Sequence, residues 1–364
     1  MNSNASPNSL AASLLYKASP EDFVVEELPQ YEPSGAGTHT WLWLEKRGAT
    51  THAAARILAV KLGKNPLDAG IAGLKDAQAV TRQWISFENA PLEDADCERL
   101  SDDKIRVLKI TRHGNKLRMG HLRGNRFVIR LRGANSEREP LPVDISAIQR
   151  RLDELQRDGI PNYFGEQRFG AGGDNPALGK MLVLGDVPAF RRALAAQGQA
   201  RRSDDRKLRN LIVNAFQSQL FNAVLSARMP AIGTLRAGDL ASLHRNGAVF
   251  PIADDISAQR EQPRADAHEL SPTGPIFGPK MPRPAGVPGE IEARILLESG
   301  VNIDDFGRRE AGTQPGARRP LRVFFLEAPR AAMSADPTAA ADLHFALPSG
   351  SYATVVLGEL GIMP

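Results

Sequence analysis

Gly73-Leu74-Lys75-Asp76-Ala77-Gln78-Ala79-Val80-Thr81-Arg82-Gln83-Trp84 joins a glycine-led loop to an alternating run. From residue 80 to 87 the side chains of Thr81, Gln83, Ile85 and Phe87 fall on one side, the two-residue period of a strand. Lys75 and Asp76 are therefore expected in the loop that feeds it. From the residues alone, Asp76 reads either as a turn residue or helix cap, or as a reactive carboxylate beside a lysine. Upstream, residues 23–28 and 41–44 read as strands. Thr50 or Thr51 can cap a helix whose Ala54, Ile57, Leu58 and Leu62 share a face before Gly63 stops it. Downstream, Phe127, Ile129 and Leu131 share one face of a strand over residues 126–131. A helix over 144–157 aligns Ile145, Ile148, Leu152 and Leu155 and ends at Gly159 and Pro161.

The second half reads differently. A long helix over 206–228 carries Leu208, Leu211, Ile212 and Ala215 on one stripe, which is expected to face a separate core. Residues 271–289 hold six prolines and four glycines and are expected to form an irregular loop. A Pro/Gly/Arg-rich linker over 312–320 precedes a strand over 321–326. The chain closes with Gly350, Ser351 and a helix aligning Ala353, Val356, Leu357 and Leu360. With 364 residues, 42% of them apolar, two domains are expected, because single cores stop growing at roughly 250–300 residues.

Composition narrows the chemistry. Cys97 is the only cysteine, so neither an intrachain disulfide nor a thiolate zinc cage can form, which suits a reducing compartment. Residues 1–13 lack the order of a signal peptide and no apolar run is long enough to span a bilayer, so a soluble cytoplasmic protein is expected. There is no His-Glu-x-x-His, Walker loop, Gly-x-Gly-x-x-Gly or Gly-x-Ser-x-Gly, which argues against hydrolysis by metal or serine. The net charge is only +4, yet residues 104–132 carry ten Lys or Arg, two histidines and no carboxylate. Such a run repels itself unless an anion is near, and phosphate backbones are the usual anion. A solvated basic face is the competing reading. A smaller basic group, Arg201, Arg202, Arg206, Lys207 and Arg209, is interrupted by Asp204 and Asp205.

The opening stretch resembles the active-site motif of the TruD family of tRNA pseudouridine synthases, which modify uridine 13 of tRNA. Lys17-Ala18-Ser19-Pro20-Glu21-Asp22-Phe23-Val24-Val25-Glu26-Glu27 resembles the N-terminal signature of that family, Arg123-Gly124-Asn125-Arg126-Phe127 the central one and Gly350-Ser351-Tyr352-Ala353-Thr354 the C-terminal one. Asn162-Tyr163-Phe164-Gly165-Glu166-Gln167-Arg168-Phe169-Gly170 and Ser271-Pro272-Thr273-Gly274-Pro275-Ile276-Phe277-Gly278 are similar to two further motifs, so the likeness covers nearly the whole chain.

The resemblance implies an α+β fold. A pseudouridine synthase catalytic domain with a mixed, largely antiparallel sheet (residues 1–158 and 318–364) is interrupted by an inserted α/β TRUD domain (159–317), the two enclosing a basic cleft. It implies no cofactor and no metal, tRNA as partner, and no membrane or protein partner. By carry-over Asp76 is the catalytic carboxylate, attacking ribose C1′ or removing the 2′ proton. Lys17 and Lys75 are the candidates to keep it ionised. Phe23, Asn125 and Tyr352 are substrate-contacting positions, with Lys17 beside them and Phe127 near Asn125. Tyr352 stands where some members carry phenylalanine, and the three aromatic rings have core packing as their alternative. Arg82 and Gln83 either support the Asp76 loop or serve only the strand. A noncatalytic tRNA-binding protein or RNA chaperone, and a base-cleaving glycosidase, are the rival functions.

Overall fold

Two-residue alternation becomes one large sheet in the computed structural model, which describes residues 14–133, 143–312 and 314–362. Its strands are β1 (Leu14–Leu15), β2 (Phe23–Pro29), β3 (His39–Arg47), β4 (Gly70–Ile71), β5 (Val80–Glu88), β6 (Ile105–His113) and β7 (Leu122–Gly133), joined by β14 (Glu327–Ala332) and β15 (Ala341–Pro348). The order is β14-β15-β7-β2-β5-β3-β6, with β1 beside β7 and β4 beside β5. β2 and β5 run parallel and the other pairs antiparallel, so the sheet is mixed.

Register decides which side chains share a face. Leu42 opposes Ile85, Leu44 opposes Gln83 and Lys46 opposes Thr81, while Trp43 with Trp84 and Glu45 with Arg82 alternate between them. The first set packs its apolar members against α1 (Thr51–Lys61): Leu42, Leu44, Ile85 and Phe87 meet Ala54 and Leu58, with Leu100 of α2 (Cys97–Leu100) in the same core.

The basic run of residues 104–132 lies largely in β6 and β7, and here the structure corrects the expectation of unrelieved repulsion. The run contains no acid of its own, but other segments bring carboxylates beside it. Arg106 meets Glu45, Arg126 meets Glu26 and Glu327, Arg130 meets Asp342 and Asp336, and Arg132 meets Asp22 and Asp336. Among the described residues Lys104, Lys109, Arg112, Lys116, Arg118 and Arg123 have no ion-pair partner.

The chain divides into two compact units, Met1–Arg157 with Phe325–Pro364, and Asp158–Phe324. The first crossing falls near the end of α3 (Ile145–Asp158), and the return falls at Phe325 rather than at 318. Pairing gives the reason: β12 (Ala317–Pro320) joins β11 (Leu270–Ile276), and β13 (Arg322–Val323) joins β8 (Ile160–Pro161). The strand expected over 321–326 is thus only the short β13.

In the second unit α4 (Asn175–Val183), α5 (Val187–Ala196) and α6 (Arg206–Arg228) share a core of Leu178, Leu182, Phe190, Ile212 and Phe216 with Phe277 and Phe306. A Cβ on Gly179 would lie 2.4 Å from the Ile212 carbonyl oxygen, so only glycine lets α4 approach α6 this closely. Leu211 departs from the expected stripe and is 47% exposed, because the face turned to the core is centred on Ile212, Val213 and Phe216 and leaves Leu211 at its edge. β9 (Leu240–Leu243) and β10 (Val249–Pro251) extend the β11–β12 pair to four strands, and α7 (Asp255–Asp266) and α8 (Gly286–Ser299) complete the unit. Residues 271–289 are therefore less irregular than expected. β11 pairs with β9 through residues 270–272 and with β12 through 273–276, so each half is paired on one side only, where a proline without an N–H is tolerated.

Candidate active site

Loop 73–79 carries Asp76 from β4 into β5, and its anchors come from elements already in place. Thr50 caps α1 by accepting the Ala53 N–H at 3.1 Å, which frees the buried Thr51. Thr51 Oγ1 accepts the Lys75 N–H and donates to Gln83 Oε1, both at 2.9 Å. Gln83 Nε2 in turn donates to the Gly73 carbonyl at 3.4 Å. Gln83 thus supports the loop, whereas Arg82 turns to Glu45 and Glu26. The Lys46 ammonium donates to the carbonyls of Ala49 and Asp76, both at 2.7 Å.

Of the two candidate lysines, Lys17 reaches Asp76 Oδ2. Lys75 points the other way and forms a buried ion pair with Glu27 at 2.9 Å, the side chains 4% and 0% exposed. Asp76 Oδ1 accepts the Gln78 N–H at 2.9 Å. Burial pushes the Asp76 carboxyl up, but the hydrogen bonds from Lys17 and Gln78 and the charges of Lys17 and Lys46 outweigh it and hold the pKa below its ordinary value. The carboxylate is ionised and still 28% exposed, the state a nucleophile or general base requires.

Lys17 adopts a left-handed backbone conformation, φ +63°, and its ammonium also lies 4.2 Å from the centre of the Phe23 ring. The buried Asp22 holds that segment. It accepts the Ser19 N–H at 3.0 Å and takes the Arg132 guanidinium at 2.7 and 2.9 Å. Phe23 is 5% exposed and packs between Tyr16 and Phe127, with ring centres 6.3 and 6.1 Å apart. Phe127, 6% exposed, continues the row to Phe345 at 5.4 Å. Asn125 lies opposite Glu27 in the register, and its buried Oδ1 has no hydrogen-bond partner among the described residues. Tyr352 is the N-cap of α9 (Ala353–Glu359); the preceding turn is tied to β7 by the Ser349 N–H donating to the Arg123 carbonyl at 3.0 Å. Between them Gly124 is obligatory, since a Cβ there would lie 2.1 Å from the Leu347 carbonyl oxygen.

Lys17 therefore meets both Asp76 and Phe23, Phe127 lies behind Phe23, Asn125 stands on β7, and Tyr352 follows β15 as the N-cap of α9. Lys46 and Glu27 received no role from the sequence, although both had a signal. Lys46 follows Leu42 and Leu44, and Glu27 follows Phe23 and Val25, at the inward positions of their strands, where a charged residue demands a partner. Among the described residues no group of three or more His, Cys, Asp or Glu is placed to hold a metal, and no helix is long and apolar enough to cross a membrane.

Burial lowers the Lys46 pKa from 10.5 to about 8, against the pull of the Asp76 charge. Below pH 8 the ammonium is protonated in both folded and unfolded chains, and its burial cost is present in full. Between about 8 and 10.5 the folded protein sheds a proton that the unfolded chain keeps, so this group's contribution to stability rises with pH. Urea midpoints across that window are expected to rise in the wild type relative to Lys46→Met. A flat or falling difference contradicts the buried charge.

The chain matches the family model described as tRNA pseudouridine synthase D (TruD) over residues 13–207 and 197–360. It is 42% identical over 348 residues to the tRNA pseudouridine synthase D of Anaeromyxobacter sp. (strain Fw109-5), covering 94% of this chain and 91% of that protein. It is 38% identical over 393 residues to the protein of the same name from Geobacter metallireducens, covering 94% of each. The crystal structure of the Methanosarcina mazei protein assigned as tRNA pseudouridine synthase D superposes with a TM-score of 0.77 at 23% identity, over 98% of this chain and 95% of that one, which shows the shared fold. The family model and the relatives together define a class, the pseudouridine synthases, which are isomerases. Within it the chain belongs to the tRNA pseudouridine synthase D (TruD) family.

Proposed function

We propose that the protein converts uridine 13, in the D-arm region of tRNA, to pseudouridine, with Asp76 as the carboxylate that acts on a flipped-out nucleotide. The observation that carries this reading is an ionised, accessible Asp76 whose backbone is fixed and whose side chain is paired with Lys17. The reaction breaks the bond from C1′ to uracil N1, turns the base and forms a bond from C1′ to C5; the C5 proton is released to solvent and N1 ends protonated, so the formula is unchanged. Asp76 serves it by attacking C1′ or by removing the 2′ proton. Phe23, Asn125 and Tyr352 contact the extruded base, and Phe127 backs Phe23. The unit 1–157 with 325–364 is the catalytic domain, the other unit the inserted one, and the protein works in the cytoplasm.

A noncatalytic RNA binder and a glycosidase are separated from this reading by tRNA tritiated at uracil C5. Tritium release without free uracil is expected; free uracil marks a glycosidase, and binding without tritium release marks a binder.

The cations that, among the described residues, lack ion-pair partners support a reading in which they contact the RNA backbone. Loop 114–121 lies against the catalytic loop, with the Gly120 N–H donating to the Ala72 carbonyl at 2.9 Å and the Leu117 N–H to Ser86 Oγ at 3.0 Å. It carries Lys116 and Arg118, and Arg123 opens β7 beside the C-terminal motif. Replacing all three with alanine should lower the slope of log affinity against log salt by about 2–3, since each lost phosphate contact removes roughly 0.7–0.9. An unchanged slope means that these residues are a solvated face.

A further inference from the structure

The second unit contains a hollow of about 670 Å³ between the start of α6 and residues 279–280, 307–310, 312 and 314–315. Five cationic side chains line it, Arg206, Arg209, Lys280, Arg308 and Arg309, against the carboxylates of Asp204 and Glu310. Two of these charges are already met, Arg308 by Asp305 at 2.8 Å and Asp204 by Arg191 at 3.2 Å. Arg206, Lys280 and Arg309 are exposed and, among the described residues, have no ion-pair partner. Arg209 adds an independent sign. Its guanidinium carbon lies 5.6 Å from the centre of the Phe190 ring, and its buried Nε has no hydrogen-bond partner among the described residues.

The backbone N–H groups of α6 do not supply this site, because Asp205 already accepts those of Lys207 and Leu208 at 2.9 and 3.3 Å. Recognition falls to the side chains, and guanidinium groups match the paired oxygens of a phosphate better than any other cation does. A lining this rich in charge is unsuited to an apolar ligand, and its size lies within the range of about 300–1,000 Å³ typical of ligand sites. We propose that the hollow is a phosphodiester subsite, holding the backbone of the RNA substrate. This inference rests on the tRNA reading above.

The test uses the full chain with Arg206→Gln and Arg309→Gln together, both residues being exposed, alongside Glu310→Gln. For the double variant tRNA affinity should fall several-fold and the salt slope should drop by about one or more. Single-turnover pseudouridine formation at saturating tRNA should stay at the wild-type rate. Glu310→Gln, which removes a repelling charge, should tighten binding, and Arg206→Lys with Arg309→Lys should restore most of the slope. Unchanged affinity and slope in the double variant overturn the proposal. Inorganic phosphate at millimolar concentration is the second probe. If it raises the Tm of the wild type but not of the double variant, while both bind tRNA equally, the hollow takes a free anion and the RNA assignment falls. A wild type that binds tRNA but never forms pseudouridine instead defeats the functional reading and leaves the subsite standing.

Discussion

Asp76→Asn is expected to bind tRNA within a few-fold of the wild type and to lose pseudouridine formation by at least about 10²–10⁴-fold, the range attached to a lost acid–base or nucleophilic group. The amide has the shape of the carboxylate, and its oxygen can still accept the Gln78 N–H, so the loop keeps its backbone anchors at Thr51 and Lys46. What disappears is the negative charge. The ion pair with Lys17 goes with it, but both side chains are about a quarter exposed, and such pairs contribute only about 0–1 kcal/mol to stability. Chemistry should therefore collapse while the fold does not. Single-turnover rates at saturating tRNA, read beside affinity and thermal unfolding, separate the two. A rate near that of the wild type removes Asp76 from the reaction, and a drop in rate matched by unfolding reduces it to a structural residue.

Glu27→Gln is expected to produce the largest loss of stability. It strands the Lys75 ammonium, 4% exposed, without its carboxylate, and breaking a buried pair from one side costs about 3–5 kcal/mol. The Glu27 carboxyl itself is pushed up by burial although Lys75 opposes this, so the pair sits where water stabilises neither charge. Replacing both partners with apolar residues of similar volume, Glu27→Leu with Lys75→Met, should recover most of the loss, since a well-packed apolar pair can match a buried ionic one. Urea unfolding of the three variants measures both effects. A single variant within about 0.5 kcal/mol of the wild type shows that water reaches the pair. A double variant no more stable than the single one shows that the glutamate packs the loop rather than neutralising the lysine.

Alternation and caps made much of the large sheet legible. The Thr81, Gln83, Ile85 and Phe87 face, the Thr50 cap and the 206–228 helix could be read because each is a local pattern. Long-range pairing was not legible. Nothing within 104–132 announces that Glu45, Glu26, Asp22, Glu327, Asp336 and Asp342 will neutralise four of its arginines, because those partners arrive from distant strands through register or, for Asp22 and Asp336, from turns beside them. The prolines of β11 misled for the same reason, since their tolerance depends on which half of the strand is paired. At the candidate site, motif likeness pointed to Asp76, Lys17 and Phe23. The choice between Lys17 and Lys75 needed the direction of neighbouring side chains, which a sequence does not carry. Lys46 and Glu27 were within reach as charged residues at inward strand positions.

Asp76 is proposed to serve the isomerisation of one particular uridine. The most direct measurement maps every uridine of a single unmodified tRNA after incubation with the wild type and, separately, with Asp76→Asn. Pseudouridine at position 13 with the wild type, and none with the variant, is the expected result. Modification at another position, no modification by the wild type, or equal modification by both proteins would contradict it.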